Sequence, residues 1–177
     1  GPAGLTVAGD LSMMGFNVTV YESESEPGGV LLYGIPEFRL PKEVVRRETQ
    51  RIAELGVQFI TNTIIGQDIT IDQIFEKGFD AIFIGTGTAI AKELNIPGKE
   101  LTGVIKSHYF LRMVALYNSN SLERKEVPVS EGDTVLVIGA GNVAMDASRT
   151  ALRMGAKKVT VVYRGVLDDM AADKLEY

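Results

Sequence analysis

The sequence predicts an α/β protein built from two strand–turn–helix–strand units and truncated at both ends. Three observations predict it. Residues 135–164 read apolar strand, glycine turn, amphipathic segment, apolar strand: Val135-Leu-Val-Ile138, then Gly139-Ala-Gly141-Asn142-Val143-Ala144, then residues 145–154, then Val159-Thr-Val-Val-Tyr-Arg164. Residues 1–22 echo that order in broken form, with Gly1-Pro2-Ala3-Gly4 at the start and Tyr21-Glu22 at the end. The chain opens without a strand before its first glycine and stops soon after the second strand of its last unit. Strand, Gly-x-Gly-x-x-Gly/Ala and helix in this order make a Rossmann-like dinucleotide-binding unit. The competing reading of each turn alone is an ordinary glycine turn in an unrelated α/β protein.

Composition bounds the rest. A length of 177 residues suits one domain or pieces of two. With 45% hydrophobic and 23% charged residues, the chain is ordinary for a globular protein. A net charge of −5 argues against a general nucleic-acid partner. No apolar run approaches the roughly 20 residues of a membrane span, and no signal peptide is visible. Cytoplasm is the default compartment. The absence of cysteine excludes disulfides, thiolate metal sites, iron–sulfur ligation and a redox dithiol within this chain. A single histidine, His108, argues against a His-based metal site and is read as a surface or cap residue.

Leu5, Val7, Ala8, Leu11 and Met14 recur at helical spacing behind the first glycines. Gly15 ends that helix, and residues 16–21 alternate as a strand. Residues 23–41 form a loop rich in turn formers, whose apolar residues Val30, Leu31, Leu32, Ile35 and Phe38 argue against disorder. Its Gly28-Gly29 pair lets backbone approach a ligand. Residues 41–55 read as a helix opened by Pro41 and closed by Gly56, with Val44, Val45, Ile52 and Leu55 as its apolar face. Residues 57–60 are a strand, and Ile64-Ile65 is a candidate for another. Thr70 or Asp72 opens a short helix that Gly78 stops. Residues 80–84 read as a buried strand running into Gly85-Thr86-Gly87, a turn at the carboxyl end where such sheets bind ligands. Residues 94–98 and 103–105 read as extended, and 107–117 as a helix. The predicted blocks are a partial first cofactor domain over 1–117, a polar linker over 118–132 and a partial second cofactor domain over 133–177.

The two turns carry the same chemistry. Gly139 permits a tight turn, Gly141 leaves room for a pyrophosphate, and Ala144 lets the helix pack close to the strand. Free N–H groups and the positive dipole end at the helix N-terminus favour phosphate. The units differ at the residue that reads the ribose. Glu22, about 20 residues past the first glycines, accepts from a free 2′-hydroxyl and suits FAD or NAD. Arg164 stands at that place in the second unit, where a guanidinium suits a 2′-phosphate. Its competing role is stacking on an NAD adenine or facing water. Two units of opposite ribose preference imply a FAD/NAD(P)-binding two-domain fold in which the cofactors carry the redox chemistry.

Five segments then carry a specific resemblance: Gly1-Pro-Ala-Gly-Leu5, Pro27-Gly-Gly-Val-Leu-Leu-Tyr-Gly-Ile-Pro-Glu-Phe-Arg-Leu-Pro-Lys42, Phe83-Ile-Gly-Thr-Gly87, Leu94-Asn-Ile-Pro-Gly98 and Val137-Ile-Gly-Ala-Gly-Asn-Val-Ala-Met-Asp146. Together they resemble the small (beta) subunits of NADPH-dependent glutamate synthase. Related are the flavin subunits of ferredoxin–NADP transhydrogenases and the N-terminal half of dihydropyrimidine dehydrogenase. The resemblance implies FAD contacts from Gly1, Gly4, Glu22, Gly29, Val30, Leu31, Thr86 and Gly87. It implies NADPH contacts from Gly141, Asn142, Val143, Ala144 and Arg164. The family's second arginine is here Gly165, so NADH stands beside NADPH as a candidate; its Met-Pro-Ala is here Met170-Ala171-Ala172. The implied activity is an oxidoreductase that passes a hydride from NADPH to FAD. Electrons then go to iron–sulfur clusters outside this chain, held by the glutamate synthase large subunit or another partner. No side chain here need act as acid or base. The alternatives are a transhydrogenase flavin subunit and a nucleotide-binding domain without catalysis. Read as a fragment lacking the central first strand, the chain alone is expected to be inactive and poorly stable.

Overall fold

The structure, a computed structural model, describes residues 1–88, 90 and 93–175. Its residues fall into two compact units. One comprises Gly1–Leu32 and Leu40–Ala89, the other Tyr33–Arg39 and Ile90–Tyr177. The chain therefore leaves the first unit for seven residues and returns to it.

In the first unit, helix α1 (Pro2–Met13) opens on Gly1 with Pro2 in its first turn, where the missing N–H costs nothing. It buries Leu5, Ala8 and Gly9. A methyl group at Gly9 would sit 3.7 Å from Ile52, ordinary contact distance, so α1 lies against the helix that bears Ile52. Gly15, at φ +90°, follows the helix end in a conformation other residues resist. Strand β1 (Thr19–Tyr21) leads into α2 (Val30–Tyr33), a single turn within the long loop. Helix α3 (Lys42–Glu54) and strand β2 (Gln58–Ile60) follow. β1 and β2 pair in parallel, Thr19 with Gln58 through Tyr21 with Ile60. The expected apolar face of α3 narrows to Val45 and Ile52. Leu55 lies past the helix end at 46% exposure, and Val44 is turned out at 37%. Ile65 makes only an isolated bridge to Ile69. Helix α4 (Ile71–Glu76) starts in a reciprocal cap: Gln73 N–H donates to Thr70 Oγ1, and Thr70 N–H donates to Gln73 Oε1.

One expected element is absent. Residues 80–84 make no strand pairing among the described residues. Their apolar composition suits a buried strand, but a strand exists only through a neighbour's ladder, and β1 and β2 pair with each other alone. Phe83 and Ile84 stay 56% and 68% exposed. Residues 94–105 also differ from the extended segments expected. They bend and turn, with Leu101 N–H donating to Gly98 and Val104 N–H to Leu101.

Arg46 on α3 donates to both Glu26 carboxylate oxygens, at 2.7 and 3.1 Å, and to Glu43 at 2.9 Å. The hydrogen bonds from Arg46 hold the Glu26 carboxyl below its usual pKa, against a smaller opposing effect of burial. A carboxylate depressed by folding adds stability above its unfolded pKa, and that stability is lost as pH falls through the folded value. Arg46 and Glu26 are 40% and 39% exposed, so the pair contributes no more than about 1 kcal/mol. Glu26→Gln is therefore expected to lower the denaturation midpoint slightly at neutral pH. The difference from the parent should vanish in acid, below the ordinary carboxylate range. A difference that persists unchanged there would show that charge is not its source.

The second unit packs on one helix. Helix α5 (Ser107–Asn118) contributes Phe110, Leu111 and Val114 to the core. Strand β3 (Thr134–Ile138), helix α6 (Asn142–Arg153) and strand β4 (Lys158–Val162) complete it. α5, grouped with the first half in the sequence reading, packs on Ala147 and Ala151 of α6 instead. These alanines are small enough to admit it, and Ala151 is fully buried. Burying each large side chain of α5 contributes roughly 2 kcal/mol. The polar stretch before β3 is no free tether: Val127 and Val129 are buried in the same core. His108 sits exposed in the first turn of α5. β3 and β4 pair in parallel over five positions, Thr134 with Lys158 through Ile138 with Val162. No helix among the described residues is long and apolar enough to cross a membrane.

Candidate functional site

In the second unit the parallel pairing brings both strand ends to one edge. Gly139 N–H donates to Val162 O at 2.9 Å, the last rung of the ladder. Beyond it the chain turns through Gly139-Ala140-Gly141 on one side and runs into Tyr163-Arg164 on the other. The predicted glycine turn, Asn142, Val143, Ala144 and Arg164 therefore stand at the same edge of the sheet. Gly139 has φ +131°, and a methyl group there would meet Ala144 Cβ at 3.7 Å. The tight turn and the small Ala144 are thus one packing feature, as the spacing implied. Ala144 is buried, whereas Asn142 and Val143 are exposed.

Gly141 is different. Its backbone, at φ −92° and ψ 173°, suits any residue, and a Cβ there would point into open space. Among the described residues, none requires glycine at this position. It is also the N-cap of α6 and supplies no side-chain cap; the Ala144 amide already donates to Gly141 O at 2.9 Å, which leaves the Asn142 and Val143 amides at the open end of the helix. These are the terms on which a phosphate binds a helix N-terminus. Arg164 is exposed just past the strand end. A methyl group on Gly165 would lie 2.6 Å from the Tyr163 ring, whose hydroxyl donates to Asp169 O at 3.0 Å. The glycine that replaces the expected second arginine is thereby explained locally: it makes room for the ring.

The turn is held by residues the sequence reading left without a role. Ala172 N–H donates to Ala140 O at 3.0 Å, and Asp173 N–H donates to Asn142 Oδ1 at 2.9 Å. Ala172 is buried against Ala144 and Met145. Neither residue carries periodicity; Ala172 falls in the marked segment Met170-Ala171-Ala172, but nothing in that segment's spacing announces its contact with Ala140.

The first unit repeats the arrangement. α1 opens on Gly1 without a side-chain cap. Glu22, at the carboxyl end of β1, turns Oε2 to within 3.8 Å of the Gly1 nitrogen. Its Oε1 accepts from Glu24 N–H at 3.2 Å and the Ser23 hydroxyl at 3.3 Å, which fixes the carboxylate. Gly29, at φ +55°, runs against Gly1: a Cβ there would be 2.7 Å from Gly1 Cα. Gly85 lies against Gly4, where its Cβ would meet the Gly4 nitrogen at 3.3 Å. Gly85 was legible as part of a turn but not as the residue that makes the close approach. Apart from its chain neighbours and its own helix backbone, no described atom lies within 4 Å of a Cβ built on Gly4, and apart from its chain neighbours the same holds for Gly87. Thr86 and Gly87 continue from this contact, and both are exposed. Pro2 and Ala3 are exposed in the first turn of α1. Val30 and Leu31 begin α2 directly after Gly29, and Lys42 Nζ donates to Leu31 O at 2.8 Å. Among the described residues no cluster of acidic or histidine side chains could hold a metal.

Each unit thus sets a glycine turn at a helix start, with the Glu22 carboxylate close to the first and Arg164 exposed past the end of β4 in the second. The pyridine nucleotide-disulphide oxidoreductase family profile matches residues 1–175. The chain belongs to that family. The 177 residues of this chain hold no cysteine, so the disulphide of the family's name has no counterpart within them. The beta subunit of the NADP(+)-dependent formate dehydrogenase of Moorella thermoacetica is 39% identical over 178 residues, 99% of this chain and 24% of that protein. The glutamate synthase [NADPH] small chain of Halomonas elongata is 38% identical over 177 residues, 99% of this chain and 37% of that one. FprA of Mycobacterium tuberculosis, solved in complex with NADPH, aligns with a TM-score of 0.77 over 98% of this chain and 44% of its own. Its 23% identity makes that a likeness of fold. The resemblance to glutamate synthase small subunits holds along the whole chain, which spans only about a quarter to two fifths of these curated relatives.

Proposed function

We propose that this chain supplies the FAD-binding and NADP-binding elements of an oxidoreductase of the glutamate synthase small-subunit kind. NADPH delivers reducing equivalents to FAD, and the electrons leave through iron–sulfur centres of a partner subunit. The observation that carries the reading is Gly141. It is a glycine that neither its backbone conformation nor its protein neighbours require, at the uncapped start of a twelve-residue helix. A ligand that must come within backbone distance supplies the reason. Gly4 repeats the argument at α1.

In this reading each unit is Rossmann-like and serves one cofactor. Gly1, Pro2, Ala3 and Gly4 receive the FAD pyrophosphate, and Glu22, already fixed by the Glu24 amide, accepts from the ribose hydroxyls. Gly29, Val30, Leu31, Thr86 and Gly87 line the rest of that site. Gly139, Gly141, Asn142, Val143 and Ala144 form the pyrophosphate turn for NADPH, and Arg164 takes the 2′-phosphate. The bound nicotinamide and flavin supply the hydride chemistry. The side chains here bind and orient, and none is assigned a proton. Assembly with a partner subunit is supported by the relatives' names, a subunit beta and a small chain; an iron–sulfur partner and a cytoplasmic setting belong to the same proposal.

The test is anaerobic titration of the gene-encoded protein with NADPH, watching the flavin absorbance bleach. A protein that takes up no flavin when FAD is added would sink the proposal. Arg164→Ala is expected to weaken NADPH about tenfold while changing NADH little, since only NADPH loses a charge-assisted pair. An equal effect on both would remove Arg164 from the phosphate pocket.

A further inference from the structure

The seven residues that the second unit takes from the middle of the first end in Phe38-Arg39, and both side chains dock on α6. Arg39 Nη1 donates to Asp146 Oδ2 at 2.9 Å. The Asp146 side chain is only 5% exposed and that of Arg39 is 28% exposed. The Phe38 ring lies under the Arg149 guanidinium at 4.4 Å and the Arg153 guanidinium at 4.0 Å. Cation–π contact with two arginines of one helix fixes the ring, and with it the backbone that presents Arg39.

The position of Asp146 makes this pair more than a staple. It lies four residues past Asn142, about 6 Å along the helix axis from that first helical residue. A buried carboxylate so close to a helix N-terminus cancels part of the positive potential that the terminus offers an anion. We propose that Arg39 is a positioning residue for the dinucleotide site. By neutralising Asp146 it keeps the start of α6 receptive to a pyrophosphate. The idea rests on the reading that Gly141 and its neighbours bind NADP.

The experiment is calorimetric titration of NADP+ into the gene-encoded flavoprotein and its variants, each checked for folding by thermal unfolding. Arg39→Met is expected to weaken NADP+ about tenfold, because the carboxylate now faces the phosphates without its guanidinium. Asp146→Asn is expected to bind at least as tightly as the parent, by up to about fivefold, because a buried negative charge near the helix start is removed while Arg39 stays. The double variant should return to within about threefold of the parent. A merely structural clamp predicts the reverse: Asp146→Asn would weaken binding, and the double variant would stay weak. Should Arg39→Met fail to fold, the sign of the Asp146→Asn effect decides alone. Parent affinity retained in Arg39→Met, or a loss in Asp146→Asn, overturns the inference while leaving the proposed function standing. A parent protein that does not bind NADP+ overturns both.

Discussion

Gly141→Asp is expected to leave the protein folded and to weaken NADP+ binding by at least about a hundredfold. The two effects separate because the position asks nothing of glycine on the protein's behalf. At φ −92° any residue fits, and a Cβ meets no atom within 4 Å. Aspartate is also a good N-cap: its carboxylate accepts from the first-turn amides of α6, which now lack a side-chain cap. The unfolding midpoint should therefore hold or rise slightly, by a few tenths of a kcal/mol. The same carboxylate occupies the amides that the pyrophosphate needs and sets a negative charge beside it. Unit charges about 4 Å apart repel by roughly 4 kcal/mol at a protein surface, which makes a hundredfold loss conservative. Calorimetric titration with NADP+ and a thermal melt on the same sample read both numbers. Undiminished affinity would mean that the phosphates bind elsewhere. A collapsed melt would mean that the turn has a structural requirement its geometry does not show.

That separation also explains what was legible in the sequence. The β3–α6–β4 unit was readable because its information is local. Glycine spacing, a strand of alternating exposure and a helix stripe lie within thirty consecutive residues, 135–164. Gly139 and Ala144 lie five positions apart in one turn, close enough that a Cβ built on Gly139 would sit 3.7 Å from Ala144 Cβ, so their spacing alone brings them together. Glu22 lies at the strand end that its distance from the glycines marks, within 3.8 Å of the Gly1 nitrogen. Residues 80–84 failed because a strand is a property of a pair: an apolar run specifies burial, and only a neighbouring ladder makes it sheet. Arg39 failed more completely. Its partner Asp146 is 107 residues away, and neither residue type marks a site by itself. Both lie in segments that carry the family resemblance, where neither side chain shows a physical role from the sequence alone. The packing of α5 on α6 was likewise invisible, since an amphipathic helix announces its apolar face but not which surface will cover it.

Gly29→Ala is expected to be the most damaging single methyl group in the first unit. Two separate costs add there. At φ +55° a Cβ crowds the following carbonyl, which costs about 1 kcal/mol for an L-residue. The new methyl carbon would also sit 2.7 Å from Gly1 Cα, and that atom is backbone, which cannot swing away as a side chain can. Gly87 separates the two effects. It has φ +70° and no atom within 4 Å of its built Cβ, so Gly87→Ala carries the conformational cost alone. Denaturant unfolding of flavin-free protein should show Gly87→Ala losing about 1 kcal/mol and Gly29→Ala at least about twice that. Flavin retained through purification should follow the same order. The Gly1–Gly29 approach shapes the turn that Glu22 faces at 3.8 Å, and pushing the two backbones apart moves the turn away from its carboxylate. Equal costs for the two alanines would show that the loop absorbs the methyl group by shifting. The close approach of Gly29 to Gly1 would then be a feature of conformation alone and not a constraint on the cofactor site.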